Sequence, residues 1–553
     1  NGKEYALAAI PCTPVTISCG PVDSLQLLDA DDNVLLSYTP KAPDITRMPE
    51  TLPGLPTLDQ ITCAQDAYLA GVHVVQYRDP TIRPDAYFQK ALKLEPHHLP
   101  SLIAMARYYY QLGKLDEAAS FVEQAEKTAT RWNFHPESGE IAYLKGLILQ
   151  AQHKHAEAYD AYQQACWNQD RRAAAMTRIA CMDGCNADFH AMLQHAISAL
   201  DANADNGLAI TLAAIAQARQ GRTEDALNRL AAYLSLDPLY HLAAYVRLRI
   251  SGGTGAELAE VMQSDPAQTC LDLAFDLLSM GEKAWASDIL TLCKPTAMTA
   301  YLRAQLQADP VALAEASHLS FGKAYPSRQS EEALLKAVLS QQPQDTSALF
   351  GLGCLLYGKR RYQEAASCWE RVRAIAPTDA GALRCLAVAY FSHLHRRDEA
   401  MVLLKEALAC KPDDMQLIWE NVYVMCRLGY PACERLSVLR EHCSSKLRDD
   451  LAILWAQALN QAGKPEQALS LMQKHQFIPC EGGEHAVADQ YMFANYAIGR
   501  KLLAEAHFED ALLAFRAAQH LPENLGSGLW HQVKLVPYQF CEALCLEHMG
   551  QKE

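Results

Sequence analysis

The sequence predicts an all-α fold, a solenoid in which short helical hairpins stack side by side. One observation behind this prediction is a pattern of large and small apolar residues that returns about every 34 residues. Another is that strand-like runs are confined to residues 1–40. A hairpin of this length cannot bury its apolar face alone, so each copy must pack against its neighbours.

The clearest copy of the repeat begins at Thr346 and ends at Pro377. Its large and small apolar positions follow helical spacing in two segments, and they are Leu349, Leu352, Gly353, Leu356, Tyr362, Ala365, Trp369 and Val372. The next copy carries Ala400, Leu404, Ala407 and Pro412, and an earlier copy carries Gly221, Ala226, Leu230, Tyr233 and Pro238. This period and composition are the signature of the tetratricopeptide repeat, so we predict a tetratricopeptide-type α-solenoid.

Paired acidic residues precede a small Ala in several copies, and they are Asp116-Glu117, Glu224-Asp225, Asp398-Glu399 and Glu509-Asp510. The pattern places each pair in the first turn of a second helix, where carboxylates complement the helix dipole. We therefore interpret these pairs as structural and not as general acids and bases.

The N-terminal 57 residues interrupt the helical pattern. Residues 15–18, 24–28 and 34–36 are short β-type runs separated by turn residues. Two or three strands make only a marginal sheet. We therefore expect residues 1–40 to be the C-terminal strands of a β-sandwich domain upstream of residue 1. Residues 41–57 are rich in Pro and predict a stiff linker.

Helices are predicted from residue 58 to the end. A first tetratricopeptide array is expected over residues 58–245, beginning with helices at 58–77 and 84–94. Residues 246–340 predict irregular helices, because Gly252-Gly253-Thr254-Gly255 breaks the pattern. A second array is expected over residues 341–553. Because the chain starts with Asn and stops at the glycine turn after the last helix, we expect the natural protein to continue at one end or both.

Composition excludes several classes of partner. Half of the 553 residues are apolar, a fifth are charged, and the formal charge is −15 without a basic block. Binding to nucleic acid or to an anionic membrane surface needs clustered Lys and Arg, so neither partner is expected. No apolar stretch reaches the roughly 18–20 residues of a membrane span. The 18 cysteines are scattered through helices, which favours reduced thiols and a cytoplasmic location.

Metal and cofactor sites are not expected. The dense histidine groups are His97-His98, His153-x-His155 and His393-x-His395, and residues two apart on a helix do not face one another. Gly351-x-Gly353 lies inside a predicted helix and does not match a nucleotide-binding fingerprint.

Some polar and aromatic residues depart from the repeat pattern. They occur at a helix end, in an insertion between two repeats and at a second helix end, and they are His73, Gln76, Tyr77, Arg78, Asn133, His135, Glu140, Trp167 and Asn168. One interpretation is structural, in which the loop packs on the helices and Trp167 fills a gap at the helix end. The other is a ligand site, because loops on a rigid scaffold carry binding residues. Aromatic, amide and carboxylate groups together suit sugar recognition.

Several of these segments also resemble one group of proteins. They are His73-x-x-Gln76-Tyr77-Arg78, the insertion from Asn133 to Glu140, Ala158 to Tyr162, Ala165 to Asn168, residues 203–206 and residues 236–241. Over residues 60–245 the chain resembles largely uncharacterised bacterial tetratricopeptide proteins in which a galactose-mutarotase-like β-sandwich precedes the repeats. The resemblance implies an upstream sandwich and a carbohydrate connection. The chain departs from the group at Val75, where an acid is expected, and at Asp79, where His is expected.

Two functions remain open at this point. The first is a scaffold whose concave surface binds a partner protein or a second copy of the chain, as tetratricopeptide superhelices commonly do. The second is the helical half of a carbohydrate-active enzyme, of glycoside hydrolase or sugar epimerase type. In that case the upstream sandwich would carry most of the catalytic site, and the insertion around His135 and Glu140 would close the sugar pocket.

Overall fold

A computed structural model describes residues 4–7, 14–17, 20–41, 54–78, 81–262, 266–443, 447–479, 484–529 and 533–551. Within these ranges the chain forms 28 α-helices, one short 3-10 turn and one two-stranded sheet.

The sheet is an antiparallel hairpin of β1 (Leu25–Leu28) and β2 (Val34–Tyr38). Asp29 closes its turn, because one carboxylate oxygen accepts the backbone N–H groups of Asp31 at 2.9 Å and Asn33 at 2.8 Å. Every residue of both strands is exposed. The predicted strand at 15–18 is wrong over residues 15–17, which form no ladder, and Ser18 lies outside the described residues.

The first array contains ten helices among the described residues. They are α1 (Ala64–Tyr77), α2 (Pro84–Leu94), α3 (Leu99–Gln111), α4 (Leu115–Ala129), α5 (Glu140–Ala151), α6 (His155–Ala165), α7 (Gln169–Cys185), α8 (Phe189–Ala202), α9 (Gly207–Arg219) and α10 (Thr223–Leu236). We predicted that the first helix begins at Leu58, but it begins at Ala64. Gln60 is the reason, because its side chain accepts the backbone N–H of Thr57 at 2.9 Å and fixes a turn there.

Irregular helices follow. They are α11 (His241–Ile250), α12 (Ala256–Val261), α13 (Ala267–Ser279), α14 (Lys283–Ile289), α15 (Ala297–Gln307), α16 (Pro310–Ala316) and α17 (Gln329–Gln341). The predicted break between α11 and α12 is present. Gly252 and Gly255 both have a φ of +84°, a left-handed conformation that glycine adopts without strain.

The segment expected to form the second array contains eleven helices among the described residues. Its helices are α18 (Thr346–Gly358), α19 (Tyr362–Ile375), α20 (Ala380–Ser392), α21 (Arg397–Cys410), α22 (Met415–Arg427), α23 (Ala432–His442), α24 (Asp449–Gln461), α25 (Pro465–Lys474), α26 (Glu484–Ala504), α27 (Phe508–Ala518) and α28 (Val536–His548). The acidic pair Asp398-Glu399 lies in the first turn of α21, as predicted.

Several hairpins cross where a glycine meets an aromatic ring. A Cβ added at Gly353 on α18 would overlap the indole of Trp369 on α19, and one at Gly146 on α5 would lie 2.5 Å from the Tyr162 ring on α6. Repetition of this contact joins the hairpins into cores. One apolar cluster runs from Ala180 to Leu525, while the first repeats form smaller separate clusters.

Candidate binding surface

The connection between α4 and α5 is longer than the usual link between repeats. It spans residues 130–139, whereas the link between α19 and α20 spans residues 376–379. This is the insertion that the sequence marks between the first two full repeats. It crosses the outer ends of α4, α5 and α6 and brings together His135, Trp167 and Asn168 at one pocket.

Hydrogen bonds hold the insertion on the turn between α6 and α7. The Asn168 side-chain amide donates to the carbonyl of Pro136 at 2.9 Å. Ser138 Oγ donates to one oxygen of Asp170 at 2.6 Å, and the Gly139 N–H donates to the other at 3.1 Å. Burial works to raise the pKa of Asp170, but these two bonds and the charge of Arg171 together outweigh it and leave the pKa below its usual range. The insertion is thus anchored at several points.

Glu140 has a structural position at the start of α5. Its side chain is buried, and its two oxygens accept hydrogen bonds from Arg107 on α3 and Arg171 on α7. A buried carboxylate between two guanidinium groups joins three successive first helices. Glu140 is not among the residues that line the neighbouring pocket.

We define the aromatic surface as Trp132, Phe134, His135 and Trp167. Trp132 and Phe134 are each 88% exposed, and Trp167 is 67% exposed. The rings of His135 and Trp167 meet edge to face, with centroids 5.5 Å apart, at the mouth of a pocket of about 190 Å³. Apolar atoms of Pro136, Ile141 and Ala142 contribute to the pocket lining.

Several polar groups of the pocket already form hydrogen bonds within the protein. The Glu126 carboxylate accepts from Lys145 Nζ at 3.0 and 2.9 Å. The Thr130 hydroxyl donates to the carbonyl of Glu126 at 2.7 Å, and the Asn168 amide is bound to Pro136. Asn133 accepts the backbone N–H of His135 at 3.0 Å and so shapes the loop. The pocket therefore offers a ligand apolar contact together with polar groups such as those of His135 and Gln164.

The other predicted site residues lie on the first helical pair. His73 and Tyr77 stack on one another with ring centroids 4.3 Å apart, and both are exposed. Gln76 is exposed as well, and Arg78 ends α1 with a φ of +53°. Asp79 lies outside the described residues. These side chains occupy the α1 end, whereas the aromatic surface is built on helices α4 to α7.

The histidine pairs have structural contacts. His153 and His395 occupy left-handed turn positions, with φ values of +62° and +57°. His393 stacks on Tyr362 with ring centroids 3.6 Å apart. Within the described ranges, no three His, Cys, Asp or Glu side chains are placed to share a metal ion. Nor is any helix in those ranges long and apolar enough to cross a membrane.

Sequence reasoning missed the partners of Glu140. Arg107 and Arg171 lie 33 and 31 residues from it, which is close to one repeat in each direction. A repeat period places such positions on neighbouring helices of the stack. The spacing could therefore have identified the ion pairs before the structure did.

Known proteins share the repeat. The family model of the tetratricopeptide repeat matches residues 103–175, 327–380 and 350–414. Among solved structures, YrrB, a tetratricopeptide protein with an unusual peptide-binding site, is 16% identical, with a TM-score of 0.27, over 39% of this chain and 97% of its own. The C-terminal part of a repeat protein from Cytophaga hutchinsonii is 14% identical, with a TM-score of 0.28, over 58% of this chain and 98% of its own.

Yeast Tom70 is similar over a longer stretch, 88% of this chain and 96% of its own, with 10% identity and a TM-score of 0.24. The family match and the succession of helical hairpins carry the assignment. The chain contains tetratricopeptide repeats and folds as an all-α tetratricopeptide-type solenoid.

Proposed function

We propose that the chain is a protein-binding scaffold and that the aromatic surface docks a partner protein. The observation that carries this proposal is the exposure of Trp132, Phe134 and Trp167 on one anchored loop and the adjacent helix end. Burying a large apolar side chain is worth about 1.5–3 kcal/mol. Trp is also enriched among the residues that dominate binding energy in protein interfaces.

The pocket suggests what the partner presents. Its volume of about 190 Å³ is below the roughly 300 Å³ at which small-molecule pockets begin, so it suits a single inserted side chain. We infer a partner segment that inserts one large apolar residue.

Site-specific photo-crosslinking in the native cell tests the proposal. A benzophenone amino acid at Phe134 should capture one protein, and the same group at Leu236, which is 76% exposed on α10, should not. Trp167→Ala should weaken binding of the purified captured protein at least tenfold, whereas Leu236→Ala should leave it unchanged. Identical crosslinks at both positions, or equal affinities of the two variants, would contradict docking at the aromatic surface.

A carbohydrate ligand at the same surface is a second candidate. The exposed Trp167 ring beside His135 suits stacking of a sugar ring, and the resemblance to mutarotase-linked proteins points the same way. The enzyme hypothesis has less support, because Glu140, the carboxylate expected at the site, is buried between Arg107 and Arg171. A sugar that raises Tm in the unmodified chain but not in Trp167→Ala would support binding. Protein docking stays the proposal if no sugar shifts Tm.

We propose further that the β1–β2 hairpin joins a larger β-structure. Leu25, Leu27, Leu36 and Tyr38 share one face through the pairs Leu25–Tyr38 and Leu27–Leu36, and all are exposed. A hairpin alone is only marginally stable in water. Amide exchange over residues 25–38 should be slower in protein purified from its natural source than in this chain. Equal rates would contradict the proposal.

A cytoplasmic setting is also proposed. Cys181, Cys368 and Cys541 carry free thiols and are buried inside helices as small apolar residues. Such usage is typical of reducing compartments. Cell fractionation followed by thiol labelling tests this, and recovery of the protein in an oxidising compartment would overturn it.

A further inference from the structure

The first full repeat contacts helices much further along the chain. The side-chain amide of Gln329, at the start of α17, donates to the carbonyl of Tyr110 at 2.5 Å, across 219 residues of sequence. Gly113, in the turn between α3 and α4, lies against the same region. A Cβ added there would be 3.3 Å from Glu332 Oε2, 3.4 Å from an Arg361 nitrogen and 3.5 Å from Lys359 Nζ.

A buried charge cluster supplies the far side of this contact. Glu332, which is 7% exposed, accepts from Lys336 at 2.7 Å, Lys359 at 3.0 Å and Arg361 at 2.7 Å. Arg361 also pairs with Glu364 at 2.7 and 2.6 Å. The cations outnumber the carboxylates. They face the C-terminal end of α3, which carries the negative end of its helix dipole.

Apolar packing does not extend across the contact in the described residues. Leu102 and Val122 of the first repeat belong to one apolar cluster, whereas Leu335 and Leu352 belong to another. Gln329, Glu332, Lys359 and Arg361 supply side chains at the junction. Contacts of this polar kind resemble transient interfaces, which open and close at modest cost.

We propose that the α3–α4 turn and the charge cluster of α17–α19 form a salt-sensitive latch that closes one turn of the solenoid. Closed, the latch holds the α3–α4 turn against α17 and the residues that follow α18. Open, it separates the two. This inference goes beyond docking at the aromatic surface and does not depend on it.

The test uses the whole chain, Gln329→Glu and a control, Gln344→Glu. The first variant puts a carboxylate against the Tyr110 carbonyl, and the control adds the same charge at an exposed turn residue. Small-angle scattering should show a larger maximum dimension for Gln329→Glu only. Hydrogen exchange should rise several-fold around residues 108–114 and 329–336 and stay unchanged in α5 and α6.

Salt titration of the unmodified chain keeps the test decisive. Raising salt from about 0.1 M to about 1 M shortens the Debye length from about 10 Å to about 3 Å. Because buried charges are screened less than exposed ones, we expect an opening in the same direction that is smaller than that of Gln329→Glu. Exchange that rises everywhere in Gln329→Glu would mean unfolding, and the salt titration then decides alone. Unchanged scattering and unchanged local exchange in high salt would overturn the latch.

Discussion

Two of the contacts between distant parts of this solenoid differ in chemistry. At the first, α7 meets the end of α13 backbone to backbone. A Cβ added at Gly184 would lie 2.6 Å from the Met280 carbonyl oxygen, and Cys181 and Met280 belong to the same apolar core. At the second, the latch, polar side chains meet and the cores stay separate. Close packing tolerates no added atoms, whereas a charged contact responds to pH and salt.

Removing the central charge of the latch should have the largest effect. Glu332→Gln leaves Lys359 buried without its carboxylate, and loss of one partner from a buried ion pair costs about 3 kcal/mol. Glu364→Gln is the control, because Glu364 is exposed and pairs with Arg361 within one helical turn, a contact worth under about 1 kcal/mol. Urea unfolding measures both variants. Equal losses would show that the cluster behaves as a surface ion pair.

Acid should weaken the latch before it affects the contact between Gly184 and Met280. Burial works to raise the pKa of Glu332, but the bonds from Lys336, Lys359 and Arg361 lower it to about 2, from an ordinary value of 4.5. Since the folded-state pKa is depressed, the stabilisation is full above about pH 4.5 and is lost as pH falls towards 2. Unfolding midpoints between pH 5 and pH 2.5 should fall less steeply in Glu332→Gln. Parallel pH profiles would contradict the assignment.

An added side-chain atom should destabilise the contact between Gly184 and Met280. Gly184→Ala adds a Cβ against the Met280 carbonyl, and we expect a net loss of about 2 kcal/mol, as for other overpacked sites. Gly358→Ala at the end of α18 is the control, because nothing lies within 4 Å of its added Cβ. That control should gain up to about 1 kcal/mol from helix propensity. If Gly184→Ala is as stable as the control, the backbone contact is looser than described.

The spacing of apolar and small residues within one hairpin accounts for the helices that the sequence predicts correctly. The repeat fixes apolar and small positions within one hairpin, so α18 and α19 fall where Thr346, Gly353 and Trp369 place them. The start of α1 was missed because a Gln60 side-chain bond holds Thr57 in a turn. Exposure of the insertion aromatics could not be predicted, because loop packing and an open surface need the same residue types.

Contacts between distant turns lie beyond that pattern. The approach of Tyr110 to Gln329 depends on how much each hairpin rotates relative to the next. A small rotation accumulates over many repeats, and the apolar pattern does not encode its size. Glu140 is intermediate, since its partners are one repeat away and the period alone could reveal them.

The aromatic surface differs from both of these contacts, because its side chains should contribute to binding and not to the stability of the fold. Trp132 is 88% exposed, so Trp132→Ala should change the free energy of unfolding by less than about 0.5 kcal/mol. Trp369→Ala is the contrast, since that ring is buried against Gly353 and its loss should cost about 3–5 kcal/mol. Urea unfolding separates the two. A large loss in Trp132→Ala would mean that its ring packs on the scaffold, and the surface would then be less available to a partner than its exposure indicates.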